Sequence, residues 1–548
     1  MKKLKKIQKD VSFFQREDHH KNLLRIIHSK EEKIKLGGGK SALESHLKKG
    51  KMFVRDRINK LIDPGTKFFE IGIFTGHEMY DDYIPAAGTV VGIGKVSRKL
   101  CVIVANDATV KAGAWFPITC KKNLRAQEIS IENKLPIIYL VDSAGVFLPM
   151  QEEIFPDKEH FGRIFRNNAV MSAMGIPQIS AIMGPCVAGG AYLPIMSDEA
   201  LIVEGTGSVF LAGSHLVKAA IGENIDNEQL GGADVHCSIS GVTDYKVKND
   251  EECINQIRGL IDKISGQKFE GFDRVESKPP INLPSDVLGI FPADTTSPYD
   301  MYDVLSCIVD DGDIDEYKEN YGKTLITCYA RIDGWAVGIV ANQRLPVKSK
   351  SGEIQIGGVI YSDSADKATR FIMNCNQKKV PLIFFQDVTG FMVGSRAEHG
   401  GIIKDGAKLV NAVANCIVPK FTFIVGNSYG AGNYGMCGKA YDPRLIFSFP
   451  NSLIAVMGGA QASNTLLNIR VNQLAKEGKK ISEDEKQKLL NEIQTQYGEH
   501  SQPIYAASRL WVDGIVNPSE VREIVSLGIE TANHSPITRP FITGVIQT

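Results

Sequence analysis

The amino-acid sequence predicts an α/β fold made of two related domains, and three observations carry that expectation. The chain repeats itself: Pro136-Ile-Ile-Tyr-Leu-Val-Asp142-Ser-Ala-Gly145 returns 245 residues later as Pro381-Leu-Ile-Phe-Phe-Gln-Asp387-Val-Thr-Gly390. A second pair follows 242 residues apart, Gly184-Pro-Cys-Val-Ala188-Gly189-Gly190-Ala-Tyr192 and Gly426-Asn-Ser-Tyr-Gly430-Ala431-Gly432-Asn-Tyr434. Repetition at this scale means two domains rather than a solenoid, whose periods run from about 20 to 50 residues. Within each copy, short apolar runs alternate with helical periodicity, the pattern of buried strands layered with helices. Each copy also ends in a turn of small residues between a strand and a helix.

In chain order, residues 1–50 read as helical with a break at Gly37-Gly38-Gly39. The basic start, Met1-Lys-Lys-Leu-Lys-Lys, lacks the apolar centre of a signal peptide and reads as a solvated arm over residues 1–36. The apolar segment Phe68 to Ile73 follows a turn at Asp63-Pro64-Gly65. Two β-rich runs between Ala87 and Asn106 predict a hairpin turning at Gly92-Ile-Gly94. Helical periodicity over 114–134 leads to strand 137–141, helix 160–174 and strand 179–183. Three prolines in Ser277-Lys-Pro-Pro-Ile-Asn-Leu-Pro284 predict a linker, which sets domains at 37–280 and 281–548. The second copy repeats the order, with strands at 325–342, helix 364–378, strand 382–386, helix 402–416 and strand 420–425. Asn468 to Tyr497 reads as a charged, solvated or subunit-packing helical stretch.

Composition narrows the function. The 63 basic and 63 acidic residues balance, so no basic nucleic-acid surface is indicated. No apolar run reaches the ~18–20 residues of a membrane helix. Ten scattered cysteines without a CxxC argue against a zinc ribbon and for reduced thiols in the cytoplasm, with a mitochondrial matrix left open for a eukaryotic source.

The turns are where chemistry is expected. Glycine lets a substrate approach the main chain closely. The first N–H groups of a helix have no intrahelical partner and favour negative charge. Donors aimed where charge develops are worth about 2.7–4 kcal/mol each in acyl transfer. Duplication of the turn raises this reading above that of a tight strand–helix junction. One rival overlaps the second turn: Gly426-Asn-Ser428-Tyr-Gly430 spells GxSxG in the strand–helix context of a nucleophile elbow. Only His500 and His534 follow it, and the first copy has Cys186 at the same place, so a nucleophilic Ser428 is disfavoured. His160, His215, His236 and His399 read as solvated or structural. Asp142 and Asp387, at strand ends, read first as turn caps.

At these turns the chain resembles the carboxyltransferase (β) subunits of biotin-dependent acyl-CoA carboxylases, and among them the 3-methylcrotonyl-CoA carboxylase type. The likeness runs from Gly37 to the C-terminus. It rests on Arg55-Asp-Arg-Ile-Asn-Lys-Leu-Ile-Asp-Pro-Gly65, Phe155-Pro-Asp-Lys-Glu-His-Phe-Gly-Arg-Ile-Phe165, Thr389-Gly-Phe-Met-Val-Gly394 and Ser428-Tyr-Gly-Ala-Gly-Asn-Tyr-Gly-Met-Cys-Gly438.

The resemblance implies two tandem crotonase-like domains, each a spiral of ββα units. It implies a carboxyl transfer from carboxybiotin to an acyl-CoA, in which the cofactor delivers CO2 and acts as base while the protein stabilises two oxyanions. The acyl-CoA pocket maps to Ala188, Gly189 and Gly190, and the biotin pocket to Gly430, Ala431 and Gly432. Arg55, Thr389, Gly390, Phe391, Tyr429 and Tyr434 map to cofactor binding, and no metal is implied. The chain has neither an ATP-binding signature nor a Met-Lys-Met biotinylation site. A biotin carboxylase/biotin carrier partner is therefore expected, with a homo-hexamer at the core of an α6β6 complex. Gln343 to Ser362 is longer than the methylcrotonyl-type loop, whereas Gly435 stands where propionyl-type enzymes carry an acid, so the acyl group is expected to be short or branched. Alternatives are a glutaconyl-CoA-type decarboxylase α subunit, a crotonase-type hydratase or hydrolase using Asp198 and Glu199, and a non-catalytic scaffold.

Overall fold

The computed structural model of the protein describes residues 2–265, 268–349, 352–477 and 482–546. Two compact units make it up, one of Ser29–Phe269 with Ala507–Leu510, the other of Met1–His28, Glu270–Ala506 and Trp511–Thr548.

The first unit is built on an eight-stranded sheet. Phe69–Ile71 pairs antiparallel with a hairpin of Thr89–Val96 and Lys99–Asn106. Ile137–Ser143, Gln178–Val187, Glu199–Val203 and Tyr245–Val247 continue the sheet in parallel. A short strand, Ser208–Phe210, runs beside the far end of Gln178–Val187. The second unit repeats this plan in a nine-stranded sheet. Its hairpin is Leu325–Ile332 and Trp335–Asn342, and its parallel strands are Leu382–Val388, Lys420–Tyr429, Leu445–Ser448 and Gly514–Ile515. Leu453–Ala455 runs beside the far end of Lys420–Tyr429.

The two copies agree in detail. The register slips between Val141 and Ser143 in one and between Gln386 and Val388 in the other. The helices Pro117–Asn133 and Ser362–Lys378 follow the hairpins. Each is capped by a hydroxyl three residues in: Phe116 N–H donates to Thr119 Oγ1 at 3.1 Å, and Tyr361 N–H to Ser364 Oγ at 2.9 Å. Each ends on a left-handed lysine, Lys134 at φ 54° and Lys379 at φ 55°. The central strands are buried on both faces, as continuous apolar runs require. Ile138, Leu140, Ile179 and Ala181 sit in the core of the first unit, and Phe384, Val388, Leu382 and Val340 in that of the second. A large aliphatic or aromatic side chain buried this way contributes about 1.5–3 kcal/mol.

Several expectations need correction. The first hairpin turns at Ser97-Arg98, both at positive φ, and not at Gly92-Ile-Gly94. Those glycines lie inside the strand, because the Phe68 ring occupies the space a side chain on Gly92 would need. The strands expected to stop at 183 and 425 run on to Val187 and Tyr429, since their ends find partners in Ser208–Phe210 and Leu453–Ala455.

The N-terminus is not a solvated arm. Lys2 and Lys3 pair with Ile314 and Asp313, and Leu4, Phe13 and His20 are buried. Helix Val11–Lys35 begins there, and the Phe13 ring fills the space beside Gly289. The proline-rich stretch at 277–284 does not separate the compact units, because Val275 N–H already bonds Gly334 O and Pro280 bridges to Asp310. The charged stretch after Asn468 belongs to two helices, Gly459–Lys476 and Glu483–Ser501; residues 478–481 of the expected helix lie outside the described residues.

Candidate functional site: two equivalent strand–helix turns

Each turn is founded on a buried carboxylate at the end of the preceding strand. In the first unit Asp142 accepts from Lys51 Nζ at 2.9 and 3.1 Å and from Arg57 Nη1 at 3.4 Å. In the second unit Asp387 accepts from Tyr299 Oη at 2.9 Å and from Asn427 N–H at 2.9 Å, and it pairs with Arg344 at 3.3 Å. These aspartates, expected as turn caps, are instead buried anchors. Gly184 and Gly426 stand above them, and a Cβ at either glycine would run into the carboxylate. Burial pushes the Asp387 carboxyl upward, against the pull of Arg344 and its hydrogen bonds. It also drives the Tyr299 hydroxyl well above its ordinary range.

Above the anchors the backbone makes the same unusual bend twice. Ala188 has φ 53° and ψ −123°, and Gly430 has φ 54° and ψ −143°. That region is essentially reserved for glycine, so Ala188 is strained. The bend aims the following N–H groups away from the strand and into short helices, Gly189–Ile195 and Ala431–Gly435. The N–H groups of Ala188 and Gly430 bond Phe210 O and Ala455 O, and those of Ala191 and Asn433 bond back to Ala188 O and Gly430 O. Between them, the N–H groups of Gly189 and Gly190, and of Ala431 and Gly432, make no hydrogen bond among the described residues. Each turn therefore presents two adjacent unpaired donors, which can stabilise an anionic oxygen.

The supports differ. Beneath the first turn, Trp115 Nε1–H donates to Ser143 Oγ at 2.7 Å, and that hydroxyl donates to Gly113 O and accepts from Gly145 N–H. The Phe161 ring backs Gly189. Beneath the second, Val388 replaces Ser143 and comes within 2.5 Å of where Gly432 would carry a Cβ.

A cavity of about 780 Å³ opens at the second turn. Gly430 and Ala431 form one wall, Ile446, Ile454 and Val456 another, and Tyr497, His500 and Trp511 close it. Tyr497 Oη donates to Met457 O at 2.7 Å and clasps helix Glu483–Ser501 to the turn region. Of the expected cofactor-binding residues, Tyr434 lines this cavity, half-exposed. Gly390 lies against Gly432, with its Cα 3.4 Å from the position of a Cβ there. Phe391 pairs in parallel with Ile360 and packs on Gly435. Thr389 N–H bonds Gly358 O, and Tyr429 is buried, its hydroxyl pushed up to about 12 by desolvation. Arg55 is not among this group. It belongs to the first unit, on helix Val54–Leu61, where Glu70 holds its guanidinium at 2.7 and 3.0 Å.

Ser428 is fully buried. It donates to Gln386 Oε1 at 2.7 Å and accepts from Asn433 Nδ2 at 2.8 Å. No hydrogen bond joins it to His500, which stacks on Tyr505, so among the described residues the serine has no histidine base. His236 is fixed between Val209 O and Ser240 Oγ. His160 lies 3.6 Å from Asp157, His399 ends a short surface helix, and the His215 side chain lies outside the described residues. Asp198 accepts from Ser172 Oγ and Gln178 N–H, and Glu199 opens a strand rather than lying on a helix, so the two carboxylates do not converge.

Sequence reasoning missed Gln386, Asn433, Tyr497, His500 and Trp511 as parts of this site. The first two could have been found as the places where the second copy is polar and the first, with Val141 and Ala191, is not. The others arrive from distant segments without a local motif.

The chain is similar to known proteins over most of its length. The carboxyl transferase domain family matches residues 45–542. The chain is 46% identical over 520 residues to the biotin-dependent 3-methylcrotonyl-coenzyme A carboxylase beta1 subunit of Mycobacterium tuberculosis, covering 95% of this chain and 96% of the other. It is 47% identical over 510 residues to the mitochondrial methylcrotonoyl-CoA carboxylase beta chain of Dictyostelium discoideum, covering 93% and 84%. The crystal structure of the P. aeruginosa geranyl-CoA carboxylase beta subunit superposes with a TM-score of 0.86 at 32% identity, covering 100% of this chain and 99% of that one. The chain thus belongs to the carboxyl transferase family, as a carboxyltransferase subunit of the biotin-dependent acyl-CoA carboxylases.

Proposed function

We propose that the chain carboxylates 3-methylcrotonyl-CoA, holding the thioester at Ala188/Gly189/Gly190 and biotin at Gly430/Ala431/Gly432. The observation that carries this reading is the pair of unpaired N–H donors at each turn. Gly189 and Gly190 N–H groups would hold the thioester oxygen and stabilise it as it becomes an enolate. Ala431 and Gly432 N–H groups would hold the ureido oxygen of the cofactor. The residues present fit that group: a largely apolar cavity beside Gly430 and Ala431 accepts the ring, and the adjacent unpaired donors suit an acceptor oxygen. When bound there, carboxybiotin supplies CO2 and a basic nitrogen. The protein's own part is positioning and charge stabilisation, and no side chain need act as the base.

Of the relatives named above, one carries 3-methylcrotonyl-coenzyme A and another methylcrotonoyl-CoA in its name, which supports the substrate. Gly435 is consistent with it. Leu409 Cδ2 and Phe391 Cζ lie 3.2 and 3.3 Å from the position of a Cβ there, so a side chain would have to push both aside. We read each unit as a crotonase-like spiral of ββα units, with the unit of Ser29–Phe269 on the acyl-CoA side and that of Glu270–Ala506 on the biotin side. We also propose a homo-hexamer bound to a biotin carboxylase/biotin carrier subunit in the cytoplasm. Among the described residues no helix is long and apolar enough to cross a membrane.

The test uses the purified chain with free biotin and a panel of carboxylated acyl-CoAs, followed by mass. Loss of carboxylated 3-methylcrotonyl-CoA only in the presence of biotin is the expected result. Preferential loss of a ten-carbon or a propionyl product would overturn the substrate, and consumption without biotin would favour a hydratase or hydrolase.

A further inference from the structure

Among the described residues the GxSxG serine has no histidine base, yet it is the centre of a buried polar network that the first turn lacks. Ser428 and Gln386 are both fully buried. Ser428 Oγ donates to Gln386 Oε1 at 2.7 Å, and Asn433 Nδ2 donates to Ser428 Oγ at 2.8 Å. Gln386 Nε2 then donates to Met436 O at 2.7 Å and to Asn433 O at 3.3 Å. The network thus ties strands Leu382–Val388 and Lys420–Tyr429 to helix Ala431–Gly435, whose first two N–H groups are the unpaired donors. That helix has only five residues and cannot hold its own orientation by helical hydrogen bonding.

The equivalent positions in the first copy are Val141, Cys186 and Ala191. A fourth position changes with them. Gly438 lies against the Asn433 carboxamide, leaving it no room for a side chain, and Met196 stands there in the first copy. Four linked differences beneath turns of equal backbone geometry point to a task specific to the second turn.

We infer that Gln386, Ser428 and Asn433 are positioning residues for the biotin-side turn, holding the Ala431 and Gly432 N–H groups at the angle the ureido oxygen requires. This rests on the assignment of biotin to the second turn. Ser428 and Asn433 also line the cavity beside the turn, but the Ser428 hydroxyl is engaged by Gln386 and Asn433, so the network acts through the orientation of the donors. A half-satisfied buried network costs more than an apolar replacement, so single and grouped variants separate positioning from mere packing.

The experiment uses the full-length chain in its native oligomer. Calorimetry measures the affinity for free biotin and, separately, for acyl-CoA, while hydrogen exchange follows the amides of residues 430–436. In Ser428→Ala and Asn433→Ala we expect biotin affinity to fall about tenfold, exchange at 430–436 to quicken, and acyl-CoA affinity to stay as in the wild type. In the biotin-dependent decarboxylation assay, KM for biotin should rise while KM for the acyl-CoA does not. Ser428→Thr keeps the hydroxyl and should restore most of the affinity. The grouped variant Gln386→Val/Ser428→Cys/Asn433→Ala should fold, yet still bind biotin poorly. Unchanged biotin affinity and exchange in both single variants would overturn the inference, and so would an equal loss of biotin and acyl-CoA affinity. Gly432→Val is the control for the underlying reading. If it weakens acyl-CoA and spares biotin, the assignment of the second turn fails. If it abolishes biotin binding while Ser428→Ala and Asn433→Ala do not weaken it, only the network fails.

Discussion

The two turns have nearly the same backbone and different foundations. The first stands on a cationic pair, Lys51 and Arg57, around Asp142, with Trp115 and Ser143 beside it. The second stands on Tyr299, Arg344 and Asn427 around Asp387, with Val388 and the Gln386–Ser428–Asn433 network beside it. What both keep is the pair of unpaired N–H groups, a buried carboxylate and a glycine over that carboxylate. What they vary is the packing that fixes those groups. Duplication has preserved the donor geometry and left the supports free to differ.

The largest effect should come from the shared foundation. Alanine at Gly184 or Gly426 drives a Cβ into a buried, ion-paired carboxylate. Breaking a buried pair costs about 3–5 kcal/mol, so either variant should unfold far earlier than the wild type in denaturant. Equal losses for the two variants would show that the anchors are interchangeable. A variant that unfolds as late as the wild type would show that its anchor can yield.

The next contrast separates the supports. A Cβ on Gly190 meets Gly145 Cα at 3.5 Å, an ordinary contact, whereas one on Gly432 meets Val388 Cγ2 at 2.5 Å. Gly190→Ala should leave turnover within about tenfold of the wild type. Gly432→Ala should lower it by about 10²–10³-fold, the cost of one misplaced donor. Adding Val388→Ala to Gly432→Ala removes the obstructing methyls and should restore much of the loss. Equal losses at the two glycines would break the comparison.

A third contrast lies behind the turns, where the post-hairpin helices bury Lys122 and Lys367. Lys122 Nζ donates to Ala86 O and Thr89 O, and Lys367 Nζ to Leu325 O. Burial lowers Lys122 to about 7 and Lys367, partly offset by Glu316, to about 8. In the unfolded chain both titrate near ~10.4. Between the folded and unfolded values the unfolded state binds more protons, so each lysine makes stability rise with pH from about 7 or 8 to about 10. The slope is at most about 1.4 kcal/mol per pH unit for one proton. Lys122→Met should therefore gain stability over the wild type at pH 7 and lose that advantage by pH 10, with Lys367→Met showing the narrower window. Denaturant midpoints across pH check this, and parallel curves for variant and wild type would refute it.

The sequence made the repeat, the alternation of strand and helix and both turns legible, because all are local patterns. Periodicity ends these strands short, since Val187 and Tyr429 are strand only by pairing with Ser208–Phe210 and Leu453–Ala455. Gly92 and Gly94 were read as a turn because glycine marks both turns and the close approach of a ring such as Phe68. The arm's lysines suggest solvation and mask Leu4 and Phe13, whose burial depends on residues near 289 and 312. The turn glycines were found by repetition, but the cavity walls Tyr497 and Trp511 come from segments with no motif.

The smallest and sharpest test concerns the one place where the turns differ in the bend itself. Ala188 holds φ 53° and ψ −123° with a Cβ, while Gly430 holds the matching bend without one. Such strain costs on the order of 1–3 kcal/mol and persists only where the surroundings enforce it. Ala188→Gly removes the strain and also loosens the unfolded chain, which works against it, so the net gain in stability should be about 1 kcal/mol. Gly430→Ala imposes the same strain and brings a Cβ to 3.0 Å from Val456 O, so it should lose more than Ala188→Gly gains. If Ala188→Gly instead destabilises the fold while speeding amide exchange at Gly189 and Gly190, the alanine is rigidifying the donors, and the first turn obtains from one methyl group what the second obtains from three polar side chains.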